Sequence, residues 1–189
     1  MTSLEHCVKI IKLYDRKLYL HCCRTATLAQ LLGNELHQDG KLLYNAGMVH
    51  DIGKLATSNK ILMAPRKLTK EERSLIDLHS YLGYCILDNF HIDKDICQIV
   101  LFHHGFDKPL GDFSEKVDEK ILMMANTLRC ADAFEALTAD RVYSKKINGD
   151  MAIEIMRETS DFDKKTINML DRVYQSKRYE AVKRDELLS

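Results

Sequence analysis

Apolar residues recur along this chain at steps of three and four rather than two. Leu18, His21, Thr25, Leu28 and Leu32 fall on one face when the segment 17–37 is wound as a helix. Leu75, His79, Leu82 and Ile86 make a similar stripe. So do Ile96, Val100 and His103, with Cys97 and His104 beside them, and then Ile121, Ala125, Leu128 and Asp132. The pattern predicts helices over 4–15, 17–37, 40–52, 69–89, 93–104, 116–138, 149–158 and 163–178. Thr69, with Glu72 three residues on, reads as a capping box and marks where the fourth begins. Two segments resist helix: 53–68, with Gly53, Asn59 and Pro65, and 105–115, with Gly105, Pro109 and Gly111. There is no alternating strand pattern of useful length and no internal repeat. The expected fold is all-α, formed by residues 1–189 as one domain, with a frayed end from Arg184.

Four of those stripes place an ionisable side chain on the face that faces inward. One such residue has an ordinary explanation: an inward histidine is usually hydrogen-bonded in a core, and an aspartate on a helix is usually a cap or an ion-pair partner. Seven together are another matter. His21, His50, Asp51, His79, His103, His104 and Asp132 run in the order H, HD, H, HH, D, and burying them separately is costly. Shared metal ions would remove that cost for all of them. Imidazole mixed with carboxylate suits iron or manganese, and a carboxylate next to a ligand histidine, as Asp51 is, can bridge two ions. Paired metals activate water and neutralise phosphate charge, so the set points to phosphoester hydrolysis. Both non-helical segments directly follow candidate ligands and are expected to flank the metal site. His6, His37 and His91 lack such company and read as surface or structural histidines.

Composition narrows the substrate. Lys+Arg and Asp+Glu both number 28, so the net charge is zero. A protein that binds long nucleic acid shows a basic excess, so the expected partner is a small nucleotide instead. No apolar run approaches a membrane span, and the N-terminus has no signal-peptide pattern. The six cysteines form no C-x-x-C pair and no disulfide framework, which fits a reduced, cytoplasmic protein. Cys22 and Cys23, although next to His21, read as small buried apolar residues. The sequence specifies no oligomeric state.

The segment His50-Asp51-Ile52-Gly53-Lys54 resembles the signature of the HD superfamily of metal-dependent phosphohydrolases. Further segments resemble its HD-GYP branch. These are Leu68-Thr69-x-x-Glu72, His79-x-x-x-Gly83, His103-His104, and the run Ala131-Asp132-Ala133-Phe134-Glu135-Ala136-Leu137-Thr138-x-Asp140-Arg141-x-Tyr143. The resemblance spans about His21 to Ile155. It implies a helical bundle with two or three metals, often iron or manganese, and hydrolysis of cyclic dinucleotides, chiefly cyclic di-GMP. The seven residues above match the family's metal ligands. Lys54 matches a lysine near the substrate phosphate, and Arg141 an arginine that helps hold the nucleotide. A position often basic in the family is Ser144 here, and Lys145 and Lys146, which follow it, can compensate.

Two departures shape the expectation. The family pattern H-H-x-x-x-D-G-x-G-Y-P is replaced by His103-His104-Gly105-Phe106-Asp107-Lys108-Pro109-Leu110-Gly111-Asp112. The Asp comes one residue early and the G-Y-P is gone, so the nucleotide pocket is rebuilt. Members with three metals carry a glutamate four residues before the first histidine ligand. Lys17 stands there, and an ammonium does not ligate. Two divalent transition metals are therefore expected, with Asp51 and Lys54 at the chemistry and Lys54, Arg141 and Lys145 toward substrate. Three readings stay open: a cyclic dinucleotide phosphodiesterase, an HD phosphohydrolase on another nucleotide or nucleoside phosphate, and a metal-bound, inactive binding domain.

Overall fold

The computed structural model describes residues 1–58, 61, 66–67, 69–105, 117–139, 147–159 and 162–180. Among these there is no strand. Nine α-helices follow one another: α1 (Ser3–Tyr14), α2 (Arg16–Glu35), α3 (Gly40–Val49), α4 (Lys70–Asp77), α5 (His79–Asn89), α6 (Lys94–Phe102), α7 (Glu119–Thr138), α8 (Gly149–Glu158) and α9 (Lys164–Gln175). A single 3₁₀ segment, Ile52–Ala56, follows α3.

Side-chain caps start most of these helices. Asp15 breaks α1 from α2 and accepts from the backbone N–H of Lys17 and Leu18. Thr69 and Glu72 form the expected capping box, with bonds of 3.2 and 2.9 Å. At the other ends, His37 and His91 take positive φ, 58° and 53°. Gln38 and Ile92 then bond back to the Gly33 and Leu87 carbonyls. These two exposed histidines thus close helices, as their isolation in the sequence suggested.

The long helices α2 and α7 pack together, and α3 and α6 pack against them. Leu28, Leu32, Leu43, Val49, Val100 and Leu128 meet in the core without solvent exposure. Burying each contributes about 1.5–3 kcal/mol before conformational entropy is subtracted. α8 and α9 cover the far side of α7, where Phe134 packs edge-on against Tyr174 and Tyr179. Glycine sets the closest approach. A Cβ on Gly47 would lie 2.5 Å from the Ala26 Cα, so α3 meets α2 backbone to backbone.

The helix expected over 69–89 is broken. Leu78 ends α4 with its N–H on the Ile76 carbonyl, and α5 begins afresh at His79. The stripe assigned to it changes accordingly: Leu75 is exposed, and the buried face of α5 is His79, Ser80, Gly83 and Leu87. α3 also stops at Val49 rather than 52, leaving His50 and Asp51 in the turn into the 3₁₀ segment. The non-helical stretch expected from 53 begins as that segment. Of the stretch 105–115, only Gly105 is among the described residues.

Candidate metal centre

The seven expected residues converge. His21 comes from the middle of α2, His50 caps α3, Asp51 follows it, His79 opens α5, His103 caps α6, His104 follows it, and Asp132 lies on α7. His50, Asp51, His79 and His103 are almost fully buried. Asp132, His104 and Lys54 are half-buried and form the open side.

Asp51 stands at the centre with its two oxygens facing different neighbours. Oδ2 lies 3.4 Å from His21 Nε2 and 3.5 Å from His50 Nε2, whereas Oδ1 lies 3.3 Å from His79 Nε2. Asp132 Oδ1 joins the first side, 3.1 Å from His21 Nε2 and 3.7 Å from His50 Nε2. On the second side, His79 Nε2 is 3.4 Å from His103 Nε2 and 3.0 Å from His104 Nε2. Among the described residues, three donor groups each fit within 4.8 Å: His21–His50–Asp132, His50–Asp51–His103 and His79–His103–His104.

The backbone fixes the ring tautomers. His50 Nδ1 donates to the Gly47 carbonyl at 2.8 Å, His79 Nδ1 to Ile76 at 2.7 Å, and His103 Nδ1 to Val100 at 2.6 Å. A carbonyl only accepts, so each Nδ1 carries a proton, and in the uncharged ring each Nε2 presents a lone pair. The lone pairs of His79 and His103 face each other, and buried His50 Nε2 has no hydrogen-bond partner. Mutually facing lone pairs and an orphaned buried acceptor are unfavourable alone and suit a shared cation. The residues present therefore fit metal ions.

Charge divides the cluster. Burial opposes protonation of His21, but Asp132, Asp51 and Glu135 outweigh it and hold its pKa well above the usual imidazole value. Burial likewise opposes His50, yet Asp51 leads the groups that raise it. Burial pushes Asp51 and Asp132 upward, but Lys54 and His50 around Asp51, and His21 and His50 around Asp132, keep both well below the carboxylate range. His79 and His103 go the other way: burial lowers both, and neighbouring histidines add to it at His103.

Lys54 lies where the 3₁₀ segment meets the cluster and donates to Asp51 Oδ2 at 2.6 Å. Burial opposes its charge, but Asp51 more than compensates and raises its pKa. The preceding Gly53 makes this placement possible, because a Cβ there would sit 1.9 Å from the His79 carbonyl oxygen. Arg141 and Lys145 lie outside the described residues, as does most of the rebuilt segment after His104. Cys22 and Cys23 are buried thiols, and Cys22 lies against His50 within hydrogen-bonding reach rather than among apolar groups alone. Glu135 was not singled out by the sequence reading, although it is only 1 % exposed and accepts from His21 Nδ1.

A sequence profile of the HD domain family matches residues 5–166. A cyclic di-GMP phosphodiesterase of Pseudomonas aeruginosa is 31 % identical over 156 residues, covering 78 % of this chain and 37 % of that protein. A 3′3′-cGAMP-specific phosphodiesterase of Vibrio cholerae is 31 % identical, covering 73 % of this chain and 31 % of its own length. The chain thus spans well under half the length of these curated relatives. Among solved structures, the HD domain of the Listeria monocytogenes phosphodiesterase PgpH in complex with cyclic-di-AMP superposes with a TM-score of 0.63 at 19 % identity. That match covers 87 % of this chain and 91 % of the other. The chain belongs to the HD domain family, and its relatives agree with the HD-GYP type that its sequence resembles.

Proposed function

We propose that this chain is a metal-dependent phosphodiesterase that opens a cyclic dinucleotide by adding water across a P–O bond. One observation carries the reading. Asp51 offers one oxygen to the His21–His50–Asp132 side and the other to the His79–His104 side, the disposition of a carboxylate shared by two ions. His21, His50 and Asp132 would hold one metal and His79, His103 and His104 the other, with Asp51 between them. Iron and manganese suit this mixture of imidazole and carboxylate. Such ions, when bound, neutralise phosphate charge and lower the pKa of water.

The protein's own part is positioning and charge. Three helix-end carbonyls hold imidazole lone pairs inward, so the ligand geometry is set before substrate arrives. Lys54 brings an ammonium to the open side, within reach of a non-bridging phosphate oxygen. Arg141 is proposed to hold the nucleotide, from the HD-GYP motif that its segment resembles, and Lys145 to supply the charge that Ser144 lacks at a position often basic in that family. Six cysteines without a disulfide suit the reducing cytoplasm.

The substrate class follows from the relatives, whose names cover cyclic di-GMP and 3′3′-cGAMP, and from a neighbour bound to cyclic-di-AMP. The missing G-Y-P favours a cyclic dinucleotide other than cyclic di-GMP. Anaerobic purification with elemental analysis, followed by a screen of the cyclic dinucleotides and their linear forms, tests the proposal. About two metals per chain and turnover of one cyclic dinucleotide are expected. Protein that takes up no iron, manganese or zinc, or fully loaded protein inert toward every diester, would sink it.

A further inference from the structure

His21 differs from the other buried histidines of the cluster. His50, His79 and His103 stand at helix ends, where carbonyls three residues earlier are free to accept their Nδ1 protons. His21 lies in the middle of α2, where the backbone carbonyls already serve the helix. Its acceptor has to come from another element. Glu135 of α7 supplies it: Oε2 takes His21 Nδ1, while Oε1 takes Arg24 Nε at 2.5 Å. The sequence holds the device as two matched pairs. Arg24 follows His21 by three residues on α2, and Glu135 follows Asp132 by three on α7, so each helix turns both members toward the other.

We infer that Glu135 is a positioning residue for one half of the metal centre, locked in place by Arg24. The inference rests on the two-metal reading above. When a cation takes His21 Nε2, 3.1 Å from Asp132 Oδ1, Glu135 holds the one remaining ring proton on Nδ1 and so fixes which nitrogen faces the cation. Without it, Asp51 and Asp132 compete for that proton through Nε2. Arg24 has a separate task. Its guanidinium fills the second carboxylate oxygen, so Glu135 is compensated while nearly buried and has one orientation open to it.

The chemistry makes an unusual prediction. In Glu135→Gln the amide has one acceptor and one donor end. Its oxygen can meet His21 only if its NH₂ is turned on Arg24, so one partner loses its acceptor. Removing Arg24 as well, in Arg24→Met with Glu135→Gln, frees the amide to turn its oxygen to His21.

Titration of metal-free protein with Mn²⁺, followed by calorimetry, reads this directly. Wild type is expected to show two sites. Glu135→Gln should weaken one of them by about 10–100-fold and leave the other unchanged. The double variant should regain part of that loss, and both variants should keep the helical circular dichroism of wild type. Two unaltered Mn²⁺ sites in Glu135→Gln would overturn the positioning role. Equal loss at both sites, or a double variant weaker than Glu135→Gln, would also overturn it, because either marks a general structural defect. Wild-type protein that binds no Mn²⁺ would overturn the metal reading and this inference with it, an outcome visible before any variant is made.

Discussion

The two halves of the cluster solve one problem with different materials. The half around His79, His103 and His104 is all imidazole apart from one oxygen of Asp51, and its His79 and His103 rings are held by helix-end carbonyls. The half around His21 and His50 adds Asp132 and the other Asp51 oxygen, and it draws on a side-chain acceptor for His21. Their electrostatics diverge accordingly. Burial leaves His79 and His103 reluctant to take protons, while the carboxylates make His21 and His50 eager for them. The imidazole half therefore presents rings that resist protonation, and the carboxylate half presents negative charge for which protons and metals compete. Asp51 is what the halves have in common.

Removing Asp51 is the most severe way to test whether they act as one centre. Asp51→Ala should lose both ions. It should also lower hydrolysis of bis-(p-nitrophenyl) phosphate by about a thousandfold or more, since metal-derived charge stabilisation is worth several kcal/mol. Elemental analysis and the activated-diester assay check both. Two tightly held metals in this variant would show that the halves are independent and that Asp51 does not bridge.

Cutting one half should cost less. His104→Ala removes a donor that lies 3.0 Å from His79 Nε2 and belongs to the His79–His103–His104 group. One metal should be lost and the other kept, with activity down by roughly a hundredfold. Asp132→Ala should give the mirror result, one equivalent lost from the other side. Loss of both ions from either variant would erase the distinction between the halves.

Chelation reads the halves through stability. Stripping the ions restores facing lone pairs between His79 and His103 and leaves the His50 Nε2 without a partner. Each ion present at a hundred times its dissociation constant stabilises the fold by about 2.7 kcal/mol, which for a chain of this size is about 5–10 °C in Tm. Adding EDTA should lower the melting temperature by that amount for each ion removed, and Mn²⁺ should restore it. The Asp51→Ala variant should show little change on either addition.

The contrast also explains what could be read from the sequence. His21 and Asp132 lie inside long, regular helices, so the step of three and four that buries Leu28 and Leu128 turns these residues toward the same interior. The imidazole half is carried by helix ends. Periodicity ran one helix through 69–89, whereas the chain breaks at Leu78, and no step of three or four signals that break. His79 still faces inward, but because it starts a helix against Gly53 and not because it shares a stripe with Leu75. Glu135 was legible in principle. It repeats the face of Asp132 one turn later, but its partners His21 and Arg24 are more than a hundred residues away, and pairing α2 with α7 needs the tertiary fold.

The smallest expected effect lies outside both halves and concerns what they act on. The proposed metal centre would see a phosphodiester and not a base, so an activated diester should need little from the surrounding protein. A cyclic dinucleotide needs its bases and second phosphate held. In the HD-GYP pattern that the sequence resembles, the G-Y-P segment and the arginine matching Arg141 are expected to serve that purpose, and this chain keeps the arginine without the G-Y-P. Cyclic di-GMP should accordingly turn over more slowly than another cyclic dinucleotide. Arg141→Ala should reduce turnover of the preferred nucleotide by about tenfold, the worth of one charge-assisted contact to phosphate. It should leave bis-(p-nitrophenyl) phosphate hydrolysis nearly unchanged, since that substrate lacks the second phosphate. Steady-state kinetics on both substrates makes the separation. An equal loss on both would move Arg141 from nucleotide holding to the reacting phosphate itself, and efficient, selective cyclic di-GMP hydrolysis by the wild type would show that the G-Y-P residues do not govern the choice of base.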